Sequence, residues 1–227
     1  MEGPARVSRT PGPSRLRSIT FAGPAGSLEG LLVEDSAREP ALTAVVCHPH
    51  PSHGGTMHNK VVHRVASTLH GLGASVLRFN FRGVGASAGV YDRGVGELED
   101  ARAACEWMRS HHPRARRWLA GFSFGSWVAA QLAASEPAIE QLILVAPPVA
   151  SEDFSALERA TMPKWIVQGT ADTHCPLPAL EQAFPRWADP KLMLRVEGAT
   201  HFFDKQLGAL SDVLLQALSG PAHNATS

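Results

Sequence analysis

Residues 118–125 read WLAGFSFG, a strand-like run that ends in the motif G-x-S-x-G and is followed at once by an alanine-rich helical stretch. In this motif a serine lies on a sharp turn between a strand and a helix. The turn presses the positions two before and two after the serine against the backbone, so glycine is required at Gly121 and Gly125. Because so short a motif can arise by chance, the flanking strand and helix carry the interpretation. Ser123 is therefore the candidate nucleophile.

Outward from this motif, short β-branched runs alternate with stretches of helical periodicity, a pattern typical of a mostly parallel sheet with helices on both faces. About eight strands are predicted, at residues 18–21, 28–33, 42–47, 75–81, 117–122, 141–145, 164–168 and 192–196. Helices are predicted at residues 60–72, 97–110, 126–134, 178–187 and 204–218. The turn GPAG at residues 23–26 joins the first two strands into an antiparallel N-terminal edge. Ligands of such sheets bind beyond the carboxyl ends of the strands.

The composition excludes several classes of function. The 227 residues are 44% hydrophobic and 19% charged, a normal balance for a chain with a sizeable core. Because 21 Lys+Arg balance 21 Asp+Glu, no positive field is present to bind nucleic acid. No apolar run is long enough for a membrane span or a secretory signal, so we expect no membrane partner. Three cysteines outside any disulfide or C-x-x-C pattern suit the cytoplasm: Cys47, Cys105 and Cys175.

We expect three parts in the chain. Residues 1–17 are predicted to be a flexible leader, because their prolines break the amphipathic helix that a mitochondrial presequence needs. Residues 18–219 are predicted to form a single α/β domain, and residues 220–227 a polar tail. A monomer or a homodimer is expected.

The positions of two later residues complete a candidate catalytic triad. A serine hydroxyl is a poor nucleophile until a base takes its proton and a third group orients that base. In the α/β-hydrolase fold the acid ends a later strand and the histidine follows the last strand. Asp172 and His201 occupy these positions. Asp153, after the preceding strand, is the competing acid, and His174 lies too near Asp172 in sequence to be the expected base.

Acyl transfer also needs N–H donors for the oxyanion, one from the residue after the nucleophile and one from the loop beyond an early strand. Phe124 supplies the first donor. The second should come from the loop that follows Cys47, with the sequence HPHP at residues 48–51. Because its two prolines have no N–H, the backbone of His50 is the candidate, and the His50 side chain can be incidental.

Two other motifs suggest chemistry that we reject. Residues 83–88, GVGASA, match the dinucleotide fingerprint G-x-G-x-x-A, but more glycines follow instead of a helix, and no acid ends a second strand. Five histidines between residues 48 and 63 suggest zinc, but no H-E-x-x-H or C-x-x-C spacing accompanies them. They are His48, His50, His53, His58 and His63. We therefore expect no cofactor and no metal.

The motifs in combination resemble the small bacterial α/β-hydrolases related to dienelactone hydrolase, from about residue 18 onward. They are CHP at 47–49, GGTMHNKVV at 54–62, RFNFRGVG at 78–85, GFSFG at 121–125 and APP at 146–148. These relatives are lidless serine hydrolases, usually described as carboxylesterases. The resemblance implies Ser123, Asp172 and His201 as the triad. The missing lid agrees with the chain, because residues 146–163 have room for one short helix at most.

The sequence thus predicts a serine hydrolase that cleaves small carboxylic esters through an acyl-enzyme intermediate. A thioesterase, a peptidase or an acyltransferase would use the same residues, and a non-catalytic scaffold that binds a partner through the same rim stays open. Five aromatic residues flank the candidate nucleophile and base; each is expected in the core, and one or two can line an acyl pocket. They are Phe122, Phe124, Trp127, Phe202 and Phe203.

Overall fold

The computed structural model describes residues 14–35 and 39–218, and it contains one eight-stranded sheet. The strands are β1 Ser14–Gly23, β2 Gly26–Asp35, β3 Leu42–Cys47, β4 Ser75–Phe79, β5 Arg116–Phe122, β6 Gln141–Val145, β7 Lys164–Gly169 and β8 Lys191–Val196. They lie in the order β1-β2-β4-β3-β5-β6-β7-β8. The pairings β1–β2 and β2–β4 are antiparallel and all others are parallel, which confirms the predicted fold class.

Helices cover both faces of this sheet. They are α1 Lys60–Gly71, α2 Val95–His111, α3 Phe124–Ser135, α4 Leu177–Ala183 and α5 Leu207–Leu218. Val65 of α1 and Leu214 of α5 belong to one apolar cluster, whereas Ala104 of α2 and Leu132 of α3 belong to another. The strands β3 to β7 are buried along nearly their whole length, as expected for parallel strands covered on both faces.

The antiparallel edge is longer than predicted. Strand β1 begins at Ser14, which pairs with Asp35, so residues 14–17 of the predicted leader are part of the sheet. An ion pair of 3.1 Å between Arg17 Nε and Glu34 Oε1 supports this extension. Polar residues on this half-exposed edge concealed the strand from the sequence pattern. The rest of the predicted leader and the predicted tail lie outside the described residues.

Other boundaries differ from prediction where side chains form specific contacts. Strand β4 ends at Phe79 instead of residue 81; Asn80 still donates its backbone N–H to Glu29 O at 3.0 Å, and its side chain accepts a hydrogen bond from Met57 N at 2.7 Å. Helix α5 begins at Leu207 instead of residue 204, and Asp204 pairs with Lys60. Helix α2 begins two residues before its predicted start, and α4 ends four residues before its predicted end.

The connections place a crevice at the carboxyl end of the sheet. From β3 the chain crosses through α1 to β4 on one side, and from β5 it crosses through α3 to β6 on the other, so the loops after β3 and β5 diverge. Between β6 and β7 there is only a 3-10 turn, Ser155–Glu158, and residues 14–35 and 39–218 form no lid over the sheet. Within the described residues, no helix combines the length and apolarity that a membrane crossing needs.

Candidate active site

The turn at Ser123 has the tight geometry that the motif predicts. Ser123 lies between β5 and α3 with φ 53° and ψ −123°, an uncommon conformation for a residue with a side chain. A Cβ at Gly121 would lie 2.1 Å from Gly125 O, and a Cβ at Gly125 would lie 2.4 Å from His48 O. The backbone N–H of Ser123 donates to Val145 O at 2.9 Å. Both glycines therefore permit the turn, and the neighbouring strand holds it.

A chain of hydrogen bonds joins the three residues of the predicted triad. His201 Nε2 lies 3.1 Å from Ser123 Oγ, and His201 Nδ1 lies 2.8 Å from Asp172 Oδ2. With its proton on Nδ1, neutral His201 donates to Asp172 and presents the Nε2 lone pair to the serine hydroxyl. Asp172 and His201 are both buried. The arrangement can therefore remove the Ser123 proton and stabilise the resulting imidazolium.

The carboxylate of Asp172 is held by several donors. Its Oδ1 accepts the backbone N–H groups of His174 and Cys175, both at 2.8 Å, and Gln168 Nε2 donates to Oδ2 at 3.2 Å. Burial acts to raise the pKa of Asp172, but the hydrogen bonds from His201 and from the two backbone N–H groups outweigh it and lower the pKa. Asp172 therefore stays ionised beside the histidine.

The competing acid and base do not take these positions. Asp153 is exposed, and its carboxylate accepts hydrogen bonds from Ser155 N at 2.8 Å and Ser155 Oγ at 2.9 Å. The exposed ring of His174 stacks on His201 with 5.0 Å between ring centroids. His174 contacts Asp172 through its backbone N–H, so its imidazole is a neighbour of the hydrogen-bonded chain and not a member of it.

The two predicted oxyanion donors line the same cleft as Ser123, which has a volume of about 590 Å³. Phe124 is the first residue of α3, where a backbone N–H has no partner within the helix. The carbonyl of His50 accepts the N–H groups of His53 and Gly55, both at 3.0 Å, and this fixes the loop after β3. In the described part of the chain, no protein acceptor takes the backbone N–H of Phe124 or His50.

His48 supports this loop from beneath. Its Nδ1 lies 2.6 Å from Pro49 O, and its Nε2 accepts the N–H of Phe81 at 3.1 Å, so the ring joins the loops after β3 and β4. Burial lowers the pKa of His48 to about 4. The neutral ring is therefore part of the scaffold of the cleft.

The five histidines between residues 48 and 63 do not come together as a metal-binding group. His50 and His53 stack with 4.4 Å between centroids, and the rings of the cluster form no ligand group. Within residues 14–35 and 39–218, the ligand atoms of one group of metal-binding side chains lie within 4.8 Å of one another: Asp172, Cys175 and His201. Both His201 nitrogens are already hydrogen-bonded, which does not fit a metal site.

The glycine-rich loop at residues 83–88 packs against the protein itself. The N–H of Ala86 donates to Glu29 Oε1 at 2.7 Å, and the N–H of Ala88 donates to Ser27 O at 2.8 Å. Helix α2 begins only at Val95, so no helix N-terminus faces the loop as a dinucleotide phosphate would need.

Two of the five flanking aromatic residues line the cleft, Phe124 and Phe202, and the rings of Phe122 and Phe203 lie in the core. Trp127 packs on Phe124 with 5.7 Å between centroids.

Sequence reasoning missed three further residues of the cleft, Ser151, Glu152 and Cys175, because none of them belongs to a recognisable motif. Burial, followed by the charge of Asp172, raises the pKa of the Cys175 thiol to about 12. The thiol therefore stays protonated and does not compete with Ser123 as a nucleophile.

Comparison with known proteins finds chains that are similar to this one in sequence and fold. Residues 44–169 match a family model described as serine aminopeptidase, S33. The chain is similar to an α/β serine hydrolase homologue from Coxiella burnetii, with 42% identity, a TM-score of 0.85, and coverage of 89% of this chain and 97% of that one. A protein from Xanthomonas campestris, described as an α/β serine hydrolase without lid, is 36% identical, with a TM-score of 0.84 and coverage of 93% and 97%. An uncharacterized protein of Rickettsia prowazekii is 36% identical over 219 residues, 91% of this chain and 92% of that one.

Proposed function

The chain belongs to the α/β serine hydrolases, in the family described as serine aminopeptidase, S33, and we propose that it cleaves small carboxylic esters through an acyl-enzyme intermediate on Ser123. The observation that carries this proposal is the hydrogen-bonded chain from Ser123 Oγ through His201 to Asp172. The more specific relation to dienelactone hydrolase stays a prediction.

In the first half of the reaction, Ser123 attacks the ester carbonyl. His201 Nε2 takes the hydroxyl proton as the Oγ–carbon bond forms, and Asp172 stabilises the imidazolium. The backbone N–H groups of His50 and Phe124 stabilise the negative charge on the former carbonyl oxygen. When the tetrahedral intermediate collapses, the ester C–O bond breaks and the leaving alkoxide takes the proton from His201.

In the second half, water releases the acyl group. His201 removes a proton from the water as its oxygen attacks the acyl carbon, and the same donors hold the oxyanion. Collapse breaks the bond to Ser123 Oγ, which regains a proton from His201, and the carboxylic acid leaves. The His201 side chain performs each proton transfer and backbone N–H groups stabilise the oxyanion, so the proposal includes no cofactor and no metal.

The open cleft supports the choice of small substrates. In the described part of the chain no lid covers Ser123, and the walls are short loops with two aromatic side chains, Phe124 and Phe202. We further propose that the protein acts in the cytoplasm, as a monomer or a homodimer, without a nucleic-acid or membrane partner.

Turnover of matched substrates tests this proposal. We expect the purified protein to hydrolyse p-nitrophenyl acetate faster than acetyl thioesters or acetyl anilides, and we expect Ser123→Ala to lose that activity. A higher kcat/KM for the thioester or the amide would replace the esterase proposal with a thioesterase or a peptidase. Transfer of the acyl group to an added alcohol in preference to water would indicate an acyltransferase. No turnover of any of these substrates would favour a non-catalytic binding scaffold.

A further inference from the structure

The cleft around Ser123 contains one carboxylate that no cation neutralises. Glu152 lines this cleft from the β6–β7 connection and is half-buried. Within the described residues, its side chain forms no ion pair and no hydrogen bond, whereas the buried acid Asp172 is fully engaged. The loss of water around the Glu152 carboxylate raises its pKa. A ligand that supplied a positive charge would replace the missing partner.

The lining of the cleft offers no permanent positive charge. Among the described residues, neither a lysine nor an arginine lines it. Lys60 lies over the ring of Phe202, with 5.9 Å from Nζ to the centroid, but it does not line the cleft and it pairs with Asp204. With its histidines neutral, the lining therefore has one formal negative charge, that of Glu152, which repels anionic substrates and attracts cations.

His50 does not supply a compensating charge either. Ser52 N–H donates to His50 Nδ1 at 3.2 Å, so the neutral ring carries its proton on Nε2, 3.0 Å from the Tyr91 hydroxyl oxygen. Burial and then the nearby His53 lower the pKa of His50, which keeps the ring neutral. Burial, then the charges of Glu97 and Glu152, raise the pKa of Tyr91.

We propose that Glu152 selects substrates with a positively charged group, so that the preferred substrates are small esters of ammonium or quaternary ammonium compounds. This inference rests on the proposed esterase activity. Phe202 lines the same cleft and is 39% exposed, so its ring is accessible to such a cation, an attraction that adds to the carboxylate charge. Glu152 binds no reacting atom, and its effect is on which substrate reaches Ser123.

Two isosteric substrate pairs test the proposal. Acetylcholine and 3,3-dimethylbutyl acetate differ by one charge on the alcohol side, and glycine ethyl ester and ethyl propionate differ by one charge on the acyl side. For each pair, the ratio of kcat/KM for the cationic to the neutral ester is measured in the wild type and in Glu152→Gln. Comparing the two proteins cancels the intrinsic reactivity of each ester.

We expect Glu152→Gln to lower this ratio roughly 5-fold to 10-fold in at least one substrate pair, because one partly screened charge pair has about this effect. The decrease should be smaller at high salt, which screens the charges. The pair that responds shows whether the acyl or the alcohol group faces Glu152. Glu158→Gln is the matched control, because Glu158 is on the same connection but outside this cleft and pairs with Arg186. Unchanged ratios in both pairs would overturn the proposal.

A second measurement separates this proposal from the esterase activity itself. If no ester is hydrolysed, the esterase proposal fails, and the rate at which a neutral fluorophosphonate labels Ser123 is measured with and without tetramethylammonium. If tetramethylammonium slowed the labelling of the wild type but not of Glu152→Gln, the result would support the cation site even though the protein is not an esterase. Equal rates, or no labelling of either protein, would reject the cation site.

Discussion

Replacing Asp172 by asparagine tests how the carboxylate acts on His201. Two backbone N–H groups at 2.8 Å hold Oδ1, from His174 and Cys175. An amide that turned its NH₂ toward them would lose both bonds, at about 1 kcal/mol each, and would bring donors against donors. The asparagine oxygen therefore stays at these N–H groups, and its NH₂ faces His201 Nδ1.

This orientation forces the wrong tautomer of the histidine. With the NH₂ group donating to Nδ1, the imidazole proton moves to Nε2, which faces Ser123 Oγ at 3.1 Å and can no longer accept its proton. We expect kcat to fall about 10⁴-fold, equivalent to about 5 kcal/mol, as it does when the acid of another Ser-His-Asp triad is replaced by its amide.

The assay is the steady-state hydrolysis of p-nitrophenyl acetate by Asp172→Asn, with circular dichroism as the test of folding. Asp153→Asn is the matched control, because the Asp153 carboxylate is exposed and contacts only Ser155. A folded Asp172→Asn with more than a tenth of wild-type kcat, or a large loss in Asp153→Asn, would refute the reasoning.

Three further predictions concern stability and substrate size. The pKa of His48 is about 4 in the folded state, against an ordinary value of 6.5. Between these two pH values the unfolded chain binds more protons than the folded chain. The free energy of unfolding therefore decreases as the pH falls from 6.5 to 4. This contribution of His48 to the free energy of unfolding is roughly 3 kcal/mol. Urea denaturation should show that the free energy of unfolding depends less on pH in His48→Gln than in the wild type. Equal pH dependences of the two proteins would contradict the prediction. Gly125→Ala should lower both the melting temperature and kcat, because its Cβ would lie 2.4 Å from His48 O; wild-type values for both would refute the need for glycine. In a series of p-nitrophenyl esters from acetate to palmitate, kcat/KM should stop rising after the first few carbons and show no jump at the solubility limit, because each methylene gains about 0.8 kcal/mol only where apolar surface buries it. A maximum at long chains, or a rate jump, would contradict the open cleft.

The parts of the fold that the sequence predicted are those that a repeating physical pattern specifies. The glycines around Ser123 follow from the contacts of a tight turn, and the buried parallel strands follow from apolar runs of the right length. The start of β1 at Ser14 was missed, because a half-exposed edge strand has polar residues that read as a leader. The end of β4 was missed because Phe79 and Phe81 are both buried and continue the strand-like alternation beyond the end of the ladder.

The hydrogen-bonded chain of Ser123, Asp172 and His201 was predictable because the fold determines the order in which its loops follow the strands. The charge of the cleft could not be predicted in this way. Whether Glu152 has a cation beside it depends on which side chains from distant loops surround it, and no local spacing encodes that. In the same way, the histidine cluster gave no sign that His48 would be a buried support of the loop after β3.

The central claim is that Ser123 is the residue that becomes acylated. The most direct test is to react the protein with a fluorophosphonate probe and with p-nitrophenyl acetate, and then to locate the covalent adduct by peptide mass spectrometry. We expect one adduct per chain on the Ser123 hydroxyl, and none in Ser123→Ala or after denaturation. An adduct on another residue, or hydrolysis of the ester by Ser123→Ala at the wild-type rate, would contradict the account.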